Sequence, residues 1–558
     1  MHLIEEYGGL SYYSLNTSKT QALGLRLDPL ALTHLRKTYQ FEWRTNDIKY
    51  LGLTFTKKAS EMFPTNYTKV WNECLTLIRG WEKLFLTWTE RIVAIKMSVL
   101  PKLQYVFRNL PLKVPQSYFK TIQSKLLQFT WGAKRARISC KLLSAPVKHG
   151  GMAFPNVKAY YQAAVLTPLL THLVRNNQPQ WVHLENLAVK PFAINILIWL
   201  HKTNRPTTPL LPLQVQLALQ IWDTHSRKFE TANPLSMATP IEAITYCIPT
   251  FHAMPWKGKG ISHLAQVFES GKLMSFDRLN TIFNLPHTSS YSYIQLKSFL
   301  HTRNKDSRNE TTITSELSTW EQTGITGKLP QTFKPLSGCY RLILPYQSLS
   351  DSTPAHQWEM DLQTPITERQ WSSITSSTRK LIKSAPLIEQ HQKTIYRWYM
   401  VPLRIHKLYP TASPTCWRCK QEKGSVLHIW WKCPRLVRYW EDTRKIIADT
   451  TTIHLPLDPK TFLLLDIPRE TPTQARKLMY HVLLTAQKLI ARLWKTTETP
   501  SIPALIQDID KQAIYETSFS KAQNSTKCSG STWEQWRAWR NANAQHVPTN
   551  NNLTNHKS

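Results

Sequence analysis

C-W-R-C-K-Q-E-K-G-S-V-L-H-I-W-W-K-C-P-R-L-V-R-Y-W, residues 416–440, constrains this chain more than any other stretch. Cys416 and Cys419 form a C-x-x-C; eight residues then lead to His428, and four more to Cys433. Three thiolates and one imidazole fill the tetrahedral shell of a structural Zn²⁺. No Glu stands where a water-activating base is needed, so the predicted metal is structural rather than catalytic. The competing reading is a surface loop with reduced thiols and a stray histidine; four ligand-type residues this close, in a chain of eight Cys, favour the metal. Lys423-Gly424 is expected to supply the reversal that returns His428 and Cys433. Residues five apart on a straight α-helix point about 140° away from each other, so His428 and Cys433 are not expected on one helical face. Pro434 should keep Cys433 out of the αR region.

Working outward, 558 residues with 42% hydrophobic content leave room for three or four domains with real cores. The formal charge of +34 is extreme, and Lys and Arg are spread along the chain, which implies a long surface facing a polyanion. Twenty-one Trp and 21 Tyr offer flat rings for stacking on unpaired bases, although most such rings are ordinary core. Cys74, Cys140, Cys247, Cys339 and Cys528 stand singly, with no disulfide framework, which fits a reducing intracellular compartment, cytoplasm or nucleus. The opening M-H-L-I-E-E-Y lacks the basic and apolar regions of a signal peptide. The most apolar run, residues 192–200, is about half the ~20 residues of a membrane span. These features point to a soluble protein whose partner is nucleic acid, not a bilayer.

Along the chain, K-T-Q-A-L-G-L-R-L (19–27) and I-K-Y-L-G-L-T-F-T (48–56) read as strands, Gly52 marking a bulge or a close backbone approach. From residue 67 to 106 the period becomes helical: Leu84, Trp88, Ile92, Ile95 and Val99 form one apolar stripe, with Lys83, Arg91 and Lys96 off it and Pro101 ending or kinking the helix. A second helix should bury Phe119, Ile122, Leu126 and Phe129 and run out at Trp131-Gly132. The basic run K-R-A-R that follows (Lys134, Arg135, Arg137) is either a solvated loop or a phosphate-contacting one. Residues 150–400 alternate turn signals with helical runs such as 238–248 and 291–301, and 302–317 reads as a mobile polar loop. Helices are expected over 385–405 and 473–495. In the latter, Leu478, Val482, Ala486, Leu489 and Leu493 lie along one side, with Lys477 and Lys488 facing solvent. The end of the chain is Asn/Ser/Thr-rich and mostly disordered, apart from a helix carrying Trp533, Trp536 and Trp539 that is expected to dock, with Ser531 and Glu534 as its capping box. The sequence contains no P-loop, no H-E-x-x-H, no G-x-S-x-G and no Asp-Asp pair; clustered carboxylates for a two-Mg²⁺ site cannot be assembled from it.

The order of these pieces resembles the reverse transcriptase encoded by the second frame of LINE-type (non-LTR) retrotransposons. Y-S-L-N-T-S-K-T-Q-A-L (13–23) looks like the fourth palm motif, with Asn16 and Lys19 in place, and I-K-Y-L-G-L (48–53) looks like the primer grip. W-T-E-R-I-V-A-I-K-M-S-V-L-P-K (88–102) resembles the thumb, H-G-G-M-A-F-P-N (149–156) the Gly-Gly turn after it, and Y-R-W-Y-M-V-P with C-W-R-C and H-I-W-W-K-C-P the carboxy-terminal Cys/His domain. The middle gap of eight residues departs from the four of the retroviral knuckle, whose strand-annealing role is therefore not carried over.

The resemblance implies a mainly α, multidomain chain. Its segments are a partial palm (1–56), a helical thumb (57–148), a helical connector (149–384), a carboxy-terminal domain with the zinc segment (385–500), and a mostly disordered tail with a Trp-rich helix (501–558). Tyr50, Leu51 and Gly52 would hold the primer terminus. Lys96, Lys134, Arg135 and Arg137 are candidate nucleic-acid contacts, and Cys416, Cys419, His428 and Cys433 the zinc ligands. The family's catalytic aspartates would lie before Met1, leaving the palm lysine, Lys19, without a metal site to serve. The expectation is a piece that binds RNA, RNA–DNA hybrid or single-stranded DNA, within a retrotransposon ribonucleoprotein, without polymerising alone. A polymerase subunit completing a site in trans, and a zinc-stapled scaffold for protein partners, are the alternatives.

Overall fold

The computed structural model describes residues 2–132, 134–190, 192–205, 211–225, 236–305, 318–344, 353–522 and 530–543. Helices dominate it, with three small two-stranded sheets. Contacts group the chain into two compact units that alternate along the sequence: residues 1–80, 97–126 and 156–345 form one, and 81–96, 127–155 and 346–558 the other. Among the described residues no helix is long and apolar enough to cross a membrane.

The first unit begins with helix His2–Ser11, followed by the small β elements. Strand β1 (Gln21–Leu23) pairs in parallel with β2 (Glu42–Arg44), and β3 (Asp47–Tyr50) pairs antiparallel with β4 (Leu53–Thr56). Both readings as long strands need correction. Lys19 closes a 3₁₀ turn before a strand of only three residues, and the 48–56 stretch is a hairpin whose turn is Leu51-Gly52, with φ of 47° and 82°. Two successive positive φ values are what a two-residue hairpin turn requires, so Gly52 is a turn residue, not a bulge. The helix Pro29–Thr38, capped by the Asp28 carboxylate accepting from Ala31 N at 2.8 Å, escaped the sequence reading although Asp-Pro is a helix-start signal.

Asn66 fixes the hairpin's outer strand. Its buried side-chain amide exchanges two 2.8 Å hydrogen bonds with the Thr54 backbone, as a neighbouring strand would. Helix Val157–Leu173 is the core element of this unit and packs against helices Leu100–Asn109, Leu213–His225 and Pro335–Ile343. A satellite core around Ile244, Phe251, Trp256, Tyr293 and Leu296 follows it. Within it, the helix expected over 238–248 is only a 3₁₀ segment, Ile241–Tyr246, whereas 291–301 lies inside the helix Ser289–Lys305. The mobile loop expected over 302–317 begins in that helix, and residues 306–317 lie outside the described ones.

The continuous helix expected over 67–106 is interrupted. It divides into Lys69–Glu82, Trp88–Ala94 and Leu100–Asn109, with a π-turn at Ile95–Val99. Thr87 starts the middle piece through a reciprocal capping box with Glu90. Leu84 falls in the connecting loop and is 52% exposed, whereas Trp88, Ile92, Ile95 and Val99 are buried as expected. Pro101 does not end the helix; it follows directly on the π-turn, the kind of irregularity at which helices kink, at the head of Leu100–Asn109. Helix Gln116–Trp131 buries Phe119, Ile122, Leu126 and Phe129 and stops at Gly132 with φ +60°, as the sequence predicts.

The second unit is built around helix Thr473–Leu493, which packs against Ala385–Ile395, Val437–Thr451, Ile502–Ala522 and Gly530–Ala542. This helix is buried nearly all round. Even Lys477 turns inward, 3.1 Å from the Glu516 carboxylate, which corrects its assignment to solvent. Residues 502–522, assigned to a disordered tail, form a full helix because Leu505, Ile506, Ile509 and Ala513 give it a buried face. The Trp-rich helix docks: Trp533 and Trp536 are buried, with Trp536 Nε1 donating to Asp510 at 2.8 Å. Its described part is Gly530–Ala542, the capping role expected of the Ser531 side chain lies outside what is described, and so do residues 523–529 and 544–558. The expected helix 385–405 breaks after Ile395 and resumes as Pro402–Leu408. Between the two, Trp398 stacks on Trp88 at 5.8 Å, and Trp88 on Trp131 at 5.5 Å. The Tyr396 hydroxyl donates to Gly150 O at 2.6 Å across 246 residues of sequence. The following Gly151 admits no side chain, since a Cβ there would lie 2.0 Å from Ala145 O.

Candidate metal centre

Cys416 and Cys419 are presented by a tight knuckle. Cys416 N donates to Glu422 O at 2.7 Å, Lys420 N donates to Cys416 O at 2.9 Å, and Lys420 takes the left-handed conformation with φ +57°. A bridge pairs Thr415 with Lys423. The reversal therefore lies between Cys416 and Glu422, ahead of the Lys423-Gly424 pair expected to supply it. Gly424 serves packing instead: a Cβ there would sit 2.7 Å from the Pro402 ring.

His428 and Cys433 come from the next element and, as expected, not from one face of a regular α-helix. Residues His428–Lys432 form a π-turn, closed by Cys433 N donating to His428 O at 3.0 Å. An i→i+5 bond brings a spacing of five into the relation that a spacing of four has on an α-helix. The two ligands thereby converge. Cys433 itself has φ −60° and ψ 122°, outside αR, as its following proline requires.

The four ligand atoms lie within 4.8 Å of one another, and this is the group of this kind found among the described residues. Cys419 Sγ stands 3.4 Å from His428 Nε2. Bonds of about 2.3 Å to sulfur and 2.0 Å to nitrogen at a tetrahedral angle place such atoms about 3.5 Å apart, so the donor set fits a metal ion such as zinc. The other ring nitrogen, His428 Nδ1, is 3.1 Å from Glu422 Oε2 but not aligned as a hydrogen bond. A carboxylate behind a ligating imidazole fixes its tautomer and raises its basicity.

The two thiols of the knuckle differ. Burial pushes the Cys416 thiol up. Burial acts the same way on Cys419, but backbone N–H groups of Glu422 and Gln421 and the His428 ring outweigh it and hold that thiol down. Arg418, between them in sequence, is buried, its Nε donating to Glu498 O and its Nη1 to Ile429 O, both at 3.1 Å. One guanidinium thus ties the knuckle to the π-turn and to the segment after helix Thr473–Leu493. Neither Arg418 nor Glu422 was singled out from sequence; a charged residue inside the C-x-x-C spacing is the signal that was there.

The other candidate residues fall into separate groups. Tyr50 and Leu51 stand exposed at the hairpin tip with Gly52, and the Tyr105 hydroxyl donates to Leu51 O. Beside them opens a cavity of about 260 Å³ lined in part by Lys49, Lys69 and Lys102, the last 3.6 Å from Glu73. Lys19 is exposed in its turn, its N–H capped by Asn16 Oδ1 at 3.1 Å. Lys134, Arg135 and Arg137 are exposed and belong to the other unit. Arg137 is not free: it donates to Trp398 O at 3.1 Å with its guanidinium over that ring. Lys96 is half-buried, and burial with the nearby Arg379 lowers its pKa.

No protein-family model matches the chain. It is 26% identical over 180 residues to the Transposon TX1 uncharacterized 149 kDa protein of Xenopus laevis, covering 32% of this chain and 13% of that protein. The chain thus matches only a small share of that relative's length.

Proposed function

We propose that this chain is the carboxy-terminal part of a LINE-type reverse transcriptase, and that it holds RNA or RNA–DNA hybrid with a structural zinc module. The observation that carries the reading is that the donor atoms of Cys416, Cys419, His428 and Cys433 all lie within 4.8 Å of one another. It stands in a chain of net charge +34, with palm-like, primer-grip-like and thumb-like motifs in collinear order. Similarity to a protein named for a transposon supports the same origin. On this reading residues 1–56 are palm-derived, 57–148 the thumb, 149–384 a connector, and 385–500 the zinc-bearing domain. Zinc here would hold the knuckle to the π-turn and supply no chemistry. Primer extension by the chain alone is not expected, because the sequence carries no Asp-Asp pair to seat two Mg²⁺ ions.

The test is metal content together with RNA retention. The purified chain should carry one zinc, lost in Cys416→Ser, and should retain labelled RNA on a filter at low salt. Zinc undiminished in Cys416→Ser would remove the metal centre. One zinc per chain with negligible RNA retention would instead make the molecule a zinc-stapled scaffold for protein partners.

A further inference from the structure

Beside the metal centre lies a cavity of about 450 Å³ that the ligand set does not use, lined by Glu422, Trp431, Lys432, Val437, Trp440 and Leu457. Its volume is within the ~300–1,000 Å³ that small-ligand sites occupy. Its aromatic wall is held in place. Trp440 is buried, and its Nε1 donates to Trp430 O at 2.9 Å. Trp431 packs on Trp440 at 5.6 Å and on Phe462 at 5.5 Å, yet remains only half-buried. Lys432, Val437 and Glu422 are exposed at the rim. Between Cys416 and Lys445 stand eight Lys or Arg and three Asp or Glu, and all the basic residues except Arg418 are exposed.

We propose that this cavity takes one unpaired base of a single-stranded nucleic acid, stacked against Trp431, with the adjoining phosphate on Lys432. The proposal rests on the nucleic-acid reading above and adds which strand form is held, and where. Three features of the lining select that occupant together. A ring wall suits the π-face that every base presents. A lysine at the mouth, in a basic neighbourhood, suits a phosphate. A carboxylate on the rim suits the amino or imino N–H groups on a base edge. An aliphatic ligand would use neither charge, and a base stacked inside a duplex cannot reach a recessed ring.

The experiment uses the full-length, zinc-loaded chain and a labelled 12-nucleotide RNA of mixed sequence, free and annealed into duplex, read by fluorescence anisotropy. Trp431→Ala should weaken single-strand binding roughly 5- to 150-fold, the range for losing one base–aromatic stack, with Trp431→Phe recovering most of it and duplex binding little changed. Because removing Trp431 also disturbs packing, Val437→Glu gives a second test: the site is exposed at a helix start, folding should be untouched, and a carboxylate in the mouth should repel the single strand. Unchanged single-strand affinity in both variants with zinc retained overturns the pocket and leaves the wider reading intact. So does an equal loss for strand and duplex. A wild-type chain that binds neither RNA overturns the wider reading and the pocket with it.

Discussion

His391 has no exposure to solvent, and its ring is held by Thr378 Oγ1 at 2.8 Å and approached by Leu464 O at 3.4 Å. Burial drives its pKa down to about 4; the Leu464 carbonyl opposes this and Arg379 adds to it. A histidine lowered in the folded state binds fewer protons than in the unfolded chain between about pH 4 and 6.5, so stability falls as the pH drops through that window and is unaffected above it. Near pH 5 the loss should be about 2 kcal/mol, since every tenfold difference in proton affinity between the folded and unfolded chain is worth roughly 1.4 kcal/mol. Urea denaturation at pH 7 and pH 5 checks this: the stability gap between the wild type and His391→Gln should narrow by that amount at the lower pH. His481, also buried with its pKa lowered, contributes a similar background to both proteins. Nothing in I-E-Q-H-Q-K distinguishes His391 from the other histidines in sequence, because burial depends on partners as far away as Leu464. The metal ligands were legible for the opposite reason: their chemistry lies within 18 consecutive residues.

Among the described residues, π-turns at Pro64–Thr68, Ile95–Val99 and His428–Lys432 mark where reading by helical period slips. A period of 3.6 recovers which residues are apolar and buried, as for Ile92, Ile95 and Val99, but has no signal for one extra residue in a turn. For the same reason the spacing of His428 and Cys433 looked unsuitable for one face while the structure brings them together. The last of these π-turns makes the metal centre sensitive to register as well as to the identity of its ligands. Inserting one Ala between Lys432 and Cys433 makes the spacing six, which neither an α-turn nor a π-turn brings into line. The inserted protein should lose its zinc. Lys432→Ala, which keeps the spacing at an exposed position, should keep the full stoichiometry, and equal zinc in both proteins would show that the turn does not set the site.

At the scale of the whole molecule, helical character and charge were open to the sequence, while the interleaving of the two units was not. It depends on bonds such as Tyr396 to Gly150 and Arg137 to Trp398, whose partners stand 246 and 261 residues apart. The basic residues do not share one role. Arg137 and Arg418 anchor backbone carbonyls and Lys477 meets a buried carboxylate, whereas Lys49, Lys69 and Lys102 line one cavity, Lys432 lines another, and Arg435 and Arg438 are exposed close to it in sequence. Only side chains that are exposed and not already engaged, as Arg137 is with Trp398, are free to release counterions from nucleic acid. If six to ten of them contact phosphates, affinity for RNA should fall about 1,000- to 100,000-fold between 50 and 200 mM salt, with a log–log slope near −0.7 per contact for a single strand. Filter binding across that range measures the slope directly. Lys432→Gln should make it shallower by close to one contact's worth, and Arg137→Gln should leave it unchanged while lowering stability. A wild-type affinity that does not respond to salt would mean that the charge faces no polyanion, and the excess of Lys and Arg would then need an account that excludes nucleic acid.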